Sequence, residues 1–185
     1  MKNILVGAFM LFINTINAQK TDPGISFSSI NQAGLLTGQY GEALTLQSVN
    51  GIRKDKWFAG LGAGIDFYAQ RSIPLFVRVQ YEFSSKPNRP FVYADAGANF
   101  RWLNQENVYK TDYEYNPGLY YAFGIGYKLK AFTNAGFLIS AGYSYKQMSE
   151  TVPAYWLSAW PVQEQNMIKY NYQFRRIEIK LGLQL

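Results

Sequence analysis

The chain has 185 residues, with 18 Lys and Arg against 12 Asp and Glu, and it contains neither cysteine nor histidine. No cysteine means no disulfide framework and no lipid-modified thiol; no histidine removes Ser-His and Cys-His nucleophile pairs, His general bases and most zinc and haem sites. The net charge of +6 is scattered singly rather than gathered in runs, so no nucleic-acid partner is expected, and neither a metal nor another cofactor is implied.

Residues 1–18 read as a secretory signal. Lys2 supplies a short basic start, and Ile4 to Ile13 is an apolar core too short to cross a bilayer as a helix. Ile16-Asn17-Ala18 resembles a signal-peptidase site, although Ile is larger than the small residue usual there. Cleavage before Gln19 would leave one domain, residues 19–185.

The first strand is expected from Ile25 towards Leu36, with weak alternation, and the second from Glu42 to Ile52, with Leu44 and Leu46 on one face. Arg53-Lys54-Asp55-Lys56 reads as a charged turn. The two-residue period then sharpens. Strand three sets Trp57, Ala59, Leu61, Ala63, Ile65 and Phe67 against Phe58, Gly60, Gly62, Gly64 and Asp66. Strand four sets Leu75, Val77, Val79, Tyr81 and Phe83 against Phe76, Arg78, Gln80 and Glu82. Residues 84–90 are a turn by composition. Strand five sets Val92, Ala94, Ala96, Ala98, Phe100 and Trp102 against Tyr93, Asp95, Gly97, Asn99 and Arg101.

A polar loop, 103–116, separates this from strand six, where Leu119, Tyr121, Phe123, Ile125, Tyr127 and Leu129 oppose Tyr120, Ala122, Gly124, Gly126 and Lys128. Strand seven sets Phe137, Ile139, Ala141, Tyr143 and Tyr145 against Leu138, Ser140, Gly142, Ser144 and Lys146. The longest connection, 147–167, leads to strand eight, Ile168 to Leu185. There Ile177, Ile179, Leu181, Leu183 and Leu185 alternate with Glu178, Lys180, Gly182 and Gln184. Upstream, Tyr170, Tyr172 and Phe174 carry the apolar set on even positions, so a β-bulge at Arg175-Arg176 is expected. A long terminal strand is an exposed edge unless it pairs, and the first strand is its natural partner. The expected fold is all-β: an eight-stranded antiparallel up-and-down transmembrane β-barrel, with short turns at one end and longer loops at the other.

Alternation alone does not say which face is outside, because a soluble barrel alternates too. The apolar set over strands three to eight holds 36 positions with no charge, where the chain's 16% charged fraction would put about six. The opposite set is small and polar, with charges of both signs, rather than the Lys- and Glu-rich surface that water favours. Aromatics gather at the strand ends: Trp57, Phe83 and Tyr127 near the short turns, and Phe67, Trp102, Tyr143 and Tyr170 near the loops. Two aromatic girdles around an uncharged band specify a lipid face, so the barrel is expected in a bacterial outer membrane.

The chain thereby resembles the small eight-stranded outer-membrane barrels of the OmpA/OmpX type and, more narrowly, uncharacterised outer-membrane barrel proteins of Bacteroidota. The stretches that carry the resemblance are Val49 to Tyr68, Ile73-Pro74-Leu75-Phe76 and Pro90 to Gly97. It implies a Gram-negative outer membrane, assembly by the barrel-insertion machinery and contact with outer-membrane lipid. Such barrels commonly end in Phe or Trp, whereas this sequence ends in Leu185.

The candidate site is the lumen face, with Asp66, Arg78, Glu82, Asp95, Arg101, Lys128, Lys146, Arg175 or Arg176, Glu178 and Lys180. An eight-stranded interior is just wide enough for side chains to fill, so these charges are expected to pair into a plug rather than line an anion pathway. Glu82 and Asp95 could be read as an acid/base couple, but nearby arginines offer them structural partners. Gly60-Leu61-Gly62-Ala63-Gly64 lacks nucleotide-loop spacing and reads as strand glycines facing the lumen. In the last loop, Tyr155, Trp156 and Trp160 are candidates for binding an external protein or glycan. A monomeric, non-enzymatic scaffold or accessory protein is the expected role, and a narrow anion-preferring solute channel the alternative. A lipid-modifying enzyme ranks third, because the barrel enzymes it would resemble rely on histidine.

Overall fold

The computed structural model describes residues 24–102, 114–131, 135–153 and 167–185. The signal reading and the candidates Tyr155, Trp156 and Trp160 lie outside the described residues. Nine strands follow in order: β1 (Ile25–Gly38), β2 (Gly41–Lys54), β3 (Trp57–Asp66), β4 (Ser72–Glu82), β5 (Arg89–Arg101), β6 (Glu114–Asn116), β7 (Gly118–Lys130), β8 (Gly136–Pro153) and β9 (Met167–Gln184). Pairing is antiparallel throughout, with β5 on β7 and both β6 and β7 on β8, and β9 closes on β1 through Ile30–Gln184 to Gly38–Arg176. Backbone bonds between Ser29 and Leu185 in both directions, at 3.0 and 2.8 Å, extend that seam. Closure satisfies the edge that a terminal strand would otherwise leave open.

β6 and β7 form one wall strand, so the barrel is eight-stranded. On β8 the pairing passes from Lys146–Tyr120 to Ser149–Asn116, three residues against four. The extra residue falls at the Pro117 step, where proline has no N–H to give the ladder. The register also fixes the barrel's shape. Paired residues lead from Ile25 to Lys54, Trp57, Tyr81, Val92, Ile125, Ala141, Ile179 and back to β1 at Leu35. One circuit therefore climbs from position 25 to position 35, a shear of ten. With ~3.3 Å per residue and ~4.8 Å between strands, that tilts the strands by about 40°.

Three sequence expectations are corrected. Pairing of β8 with β9 runs unbroken from Gly136–Gln184 to Pro153–Met167, so there is no bulge at Arg175-Arg176. Even positions of β9 are buried from Phe174 to Gln184. Phe174 is buried, while Arg175 is exposed and Arg176 lies inside. Tyr172 and Phe174 are apolar because they fill the barrel mouth, stacked with Tyr170. The hairpin also continues well into the expected 147–167 loop, and Glu114–Asn116 extends the wall into the expected 103–116 loop. Finally, Arg53 and Arg89, read as turn residues, sit in strands.

Outside, the apolar set forms a belt: Leu61 is 71% exposed, Ile125 68%, and Ile177, Ile179, Leu181 and Leu183 are all exposed. Among the described residues the charged side chains of the outer strand faces stand at the belt's rims, such as Lys54 at one end and Glu42 and Arg175 at the other. Trp57 and Phe67 bracket β3, ten residues or ~33 Å of strand apart, which is ~25 Å along the axis at this tilt. That is the height of an outer-membrane apolar band.

Inside, glycines make room for neighbouring rings. A Cβ on Gly62 would come within 2.4 Å of the Phe76 ring, and one on Gly126 within 2.3 Å of Phe91. Gly62→Ala is therefore expected to lower barrel stability by about 1–3 kcal/mol through overpacking, and Phe76→Leu in the same background to recover part of it. The urea midpoint of folded protein in lipid vesicles measures both.

Candidate functional site: the charged lumen

The alternation that builds the outer belt forces Asp66, Arg78, Glu82, Asp95, Lys128, Lys146, Arg176, Glu178 and Lys180 into one interior, where each is 8% exposed or less. Arg101, at the loop end of β5, is half-buried. Strand register sorts these charges into three tiers.

The middle tier joins six strands, β1, β2, β4, β5, β7 and β9. Arg78 and Asp95 are directly opposite on β4 and β5, and the guanidinium Nε and Nη2 donate to the two carboxylate oxygens at 2.6 Å each. This fork-to-fork pair is the strongest ordinary form of the contact. On β9, Lys180 donates to Glu178 at 2.5 Å, and Tyr93 donates to the same Glu178 oxygen at 2.6 Å. Both Arg78 and Lys180 lie over the Tyr93 ring, at 4.9 and 4.5 Å from its centroid. Gln32 donates to Gln47 at 2.7 Å, and Gln47 donates to the Tyr120 hydroxyl at 3.0 Å. Two cations and two carboxylates make this tier neutral.

The loop-end tier is centred on Asp66. Arg176 pairs with one of its oxygens, and Lys146 lies 3.2 Å from the other. Lys146 also donates to the carbonyls of Tyr68 and Gln70 and to the Ser72 hydroxyl, at 3.0, 2.8 and 3.0 Å. An ammonium has three protons to give, so this lysine is fully engaged. Leu36, Tyr68, Met148 and Phe174 pack beside it and roof the lumen.

The turn-end tier is unbalanced. Arg53, Arg89 and Lys128 converge on the single carboxylate of Glu82. Lys128 also donates to Gln184 at 2.9 Å, which donates to Ser28 at 2.9 Å. Below them opens a cavity of about 560 Å³, lined by Arg53, Arg89, Lys128, Lys130, Gln184 and Leu185 among others. Ile30, Phe58, Phe91 and Leu138 belong to an apolar cluster between this mouth and the middle tier.

The lumen-facing carboxylates and most of the bases were legible from alternation. Missed were Gln32, Gln47, Tyr93 and Tyr120 as network members, and Arg53 and Arg89 as partners of Glu82. Tyr93 and Tyr120 already sat on the polar side of the pattern, which was the available signal. Arg53 and Arg89 gave none, because their charge matched that of the adjoining turns. Glu82 and Asp95 are held by separate cations in different tiers, so they do not form the couple weighed above.

No protein-family model and no curated protein matches the chain in sequence. Solved structures match in fold. Neisserial surface protein A (NspA) aligns at 13% identity and a TM-score of 0.55, over 88% of this chain and 98% of its own. OprG, an outer membrane protein from Pseudomonas aeruginosa, aligns at 14% and 0.54, over 88% and 96%. The outer membrane protein AlkL, solved in DMPC lipid bilayers, aligns at 10% and 0.53, over 91% and 92%. At these identities the likeness establishes the closed eight-stranded barrel and nothing finer.

Proposed function

We propose that this chain is a bacterial outer-membrane barrel with a closed lumen, serving as a non-enzymatic scaffold or accessory protein through its external loops. The observation that carries this reading is the inversion of an ordinary soluble core. Among the described residues, leucines and isoleucines are exposed around the wall, while nine charged side chains are buried inside. Only a lipid solvent makes such an arrangement favourable. The fold shared with outer-membrane barrels supports the same placement.

Closure follows from the pairing. The middle tier spends its charge on itself, and the apolar cluster beneath it offers an ion nothing to replace its water. A second reading, a narrow anion-preferring channel, is favoured by the excess of cations at the turn-end mouth. Single-channel recording of the folded barrel in a planar bilayer separates the two. The closed reading expects no steps above the bare bilayer. Stable, anion-selective steps that change on replacing Arg78 would make it a pore. Folding is checked beforehand by the gel shift between boiled and unboiled protein.

A further inference from the structure

Among the described residues, the outer belt is interrupted on β1 and β2. On β1, Ser29 and Asn31 face outward between Phe27 and Leu35; on β2, Ser48 and Asn50 face outward between Ile52 and Leu46. The two pairs are directly opposed, Ser29 to Asn50 and Asn31 to Ser48. On the flanking strands Asn50 pairs with Leu61 of β3, and Asn31 with Leu183 of β9, both exposed. The patch is thus enclosed by lipid-facing side chains on all four sides, at mid-height of the band. Among the described residues, the outer faces of β3, β4, β5, β7, β8 and β9 carry no Asn, Gln, Ser or Thr at this depth.

Within the patch, the Ser48 hydroxyl donates to Asn31 Oδ1 at 2.8 Å, and Asn31 Nδ2 donates to Ser29 Oγ at 3.3 Å. Two amides and two hydroxyls hold more donors and acceptors than these two bonds use. In hydrocarbon, spare polar groups are costly unless something hydrogen-bonds them. Lipid chains cannot do so at this depth.

We infer that the β1–β2 face is the interface for a second copy of this chain within the membrane. A two-fold axis along the membrane normal keeps every residue at its own depth, so each polar patch meets its counterpart. An asparagine amide both donates and accepts, so it is complementary to itself. Ala33, Ala59 and Ala63 stand beside the patch on the outer faces of β1 and β3, and such small residues let two walls approach closely. This dimer replaces the monomer expected from sequence, and it rests on the outer-membrane placement proposed above.

The absence of native cysteine makes the test clean. Asn31→Cys, Ser48→Cys and Asn50→Cys, made singly, are compared with Ile125→Cys, which is 68% exposed on the opposite wall. Oxidation is carried out in native membranes. The expected result is a disulfide-linked dimer for one or more patch variants and none for Ile125→Cys. Asn31→Leu with Asn50→Leu in the Ser48→Cys background is expected to lower dimer yield by about tenfold, the scale of a few intramembrane hydrogen bonds. Folded barrel in the outer-membrane fraction with no patch-specific crosslink overturns the dimer alone. Protein absent from that fraction overturns the placement first.

Discussion

Replacing Arg78 with methionine is expected to lower the unfolding free energy by about 3–5 kcal/mol, because Asp95 is left charged and unpaired in the barrel's centre. Both residues are 2% exposed, so water reaches neither partner. The Arg78→Met, Asp95→Leu double variant is expected to recover most of the loss, since removing both charges removes the uncompensated one. Urea unfolding in lipid vesicles, followed by tryptophan fluorescence, measures both variants. A single-variant cost under about 1 kcal/mol, the range of a solvated pair, would mean that the lumen holds water around Asp95. That outcome would also reopen the channel reading. The cycle is informative because the pair is directly opposed and bidentate, which concentrates its coupling in one contact.

The second large effect lies on the other face. Leu61→Arg is expected to cost about 2–4 kcal/mol in the same assay, since the side chain stands near the middle of the belt and cannot reach either rim. Leu61 is 71% exposed, so loss of internal packing is a minor part of this cost. Thr37→Arg, outward-facing near the loop-end rim of β1, is expected to cost about 0–1 kcal/mol. The contrast reads depth directly. In a water-soluble barrel both substitutions would be nearly neutral, because an exposed arginine is at home in water. Equal, small effects would therefore remove the membrane reading itself.

Most pairs in the three tiers join different strands; Lys180–Glu178, along β9, lies within one. Arg78–Asp95 ties β4 to β5, Tyr93–Glu178 spans from β5 to β9, and Arg176–Asp66 spans from β9 to β3. A hydrogen bond across the lumen resists ovalisation of the wall, which wall-to-wall backbone bonds do not. Glycines opposite the large rings let this happen at an eight-strand diameter. Gly62 under Phe76 and Gly126 under Phe91 give back the space that the rings take.

The all-β class, most strand positions, the apolar outside and nearly every charged group inside are legible along the chain. The reason is local: a strand's side chains alternate strictly, so parity assigns a face to each residue without knowledge of its neighbours. The same rule failed in the first half of β9. Tyr172 and Phe174 are apolar for an interior reason, while Ile177 and Leu183 are apolar for an exterior one, and parity cannot separate two kinds of apolar environment. Hence the bulge that the register denies. The shear of ten, the partner of each charge and the depth of each outward residue come from the closed barrel. Those depend on how all eight wall strands are offset around a closed circuit, and no single strand carries that information. The outward-facing Asn31 and Asn50 show the difference. Along the chain they are ordinary polar residues in two weakly alternating strands; once the belt is closed, they stand at its middle with leucine on either side.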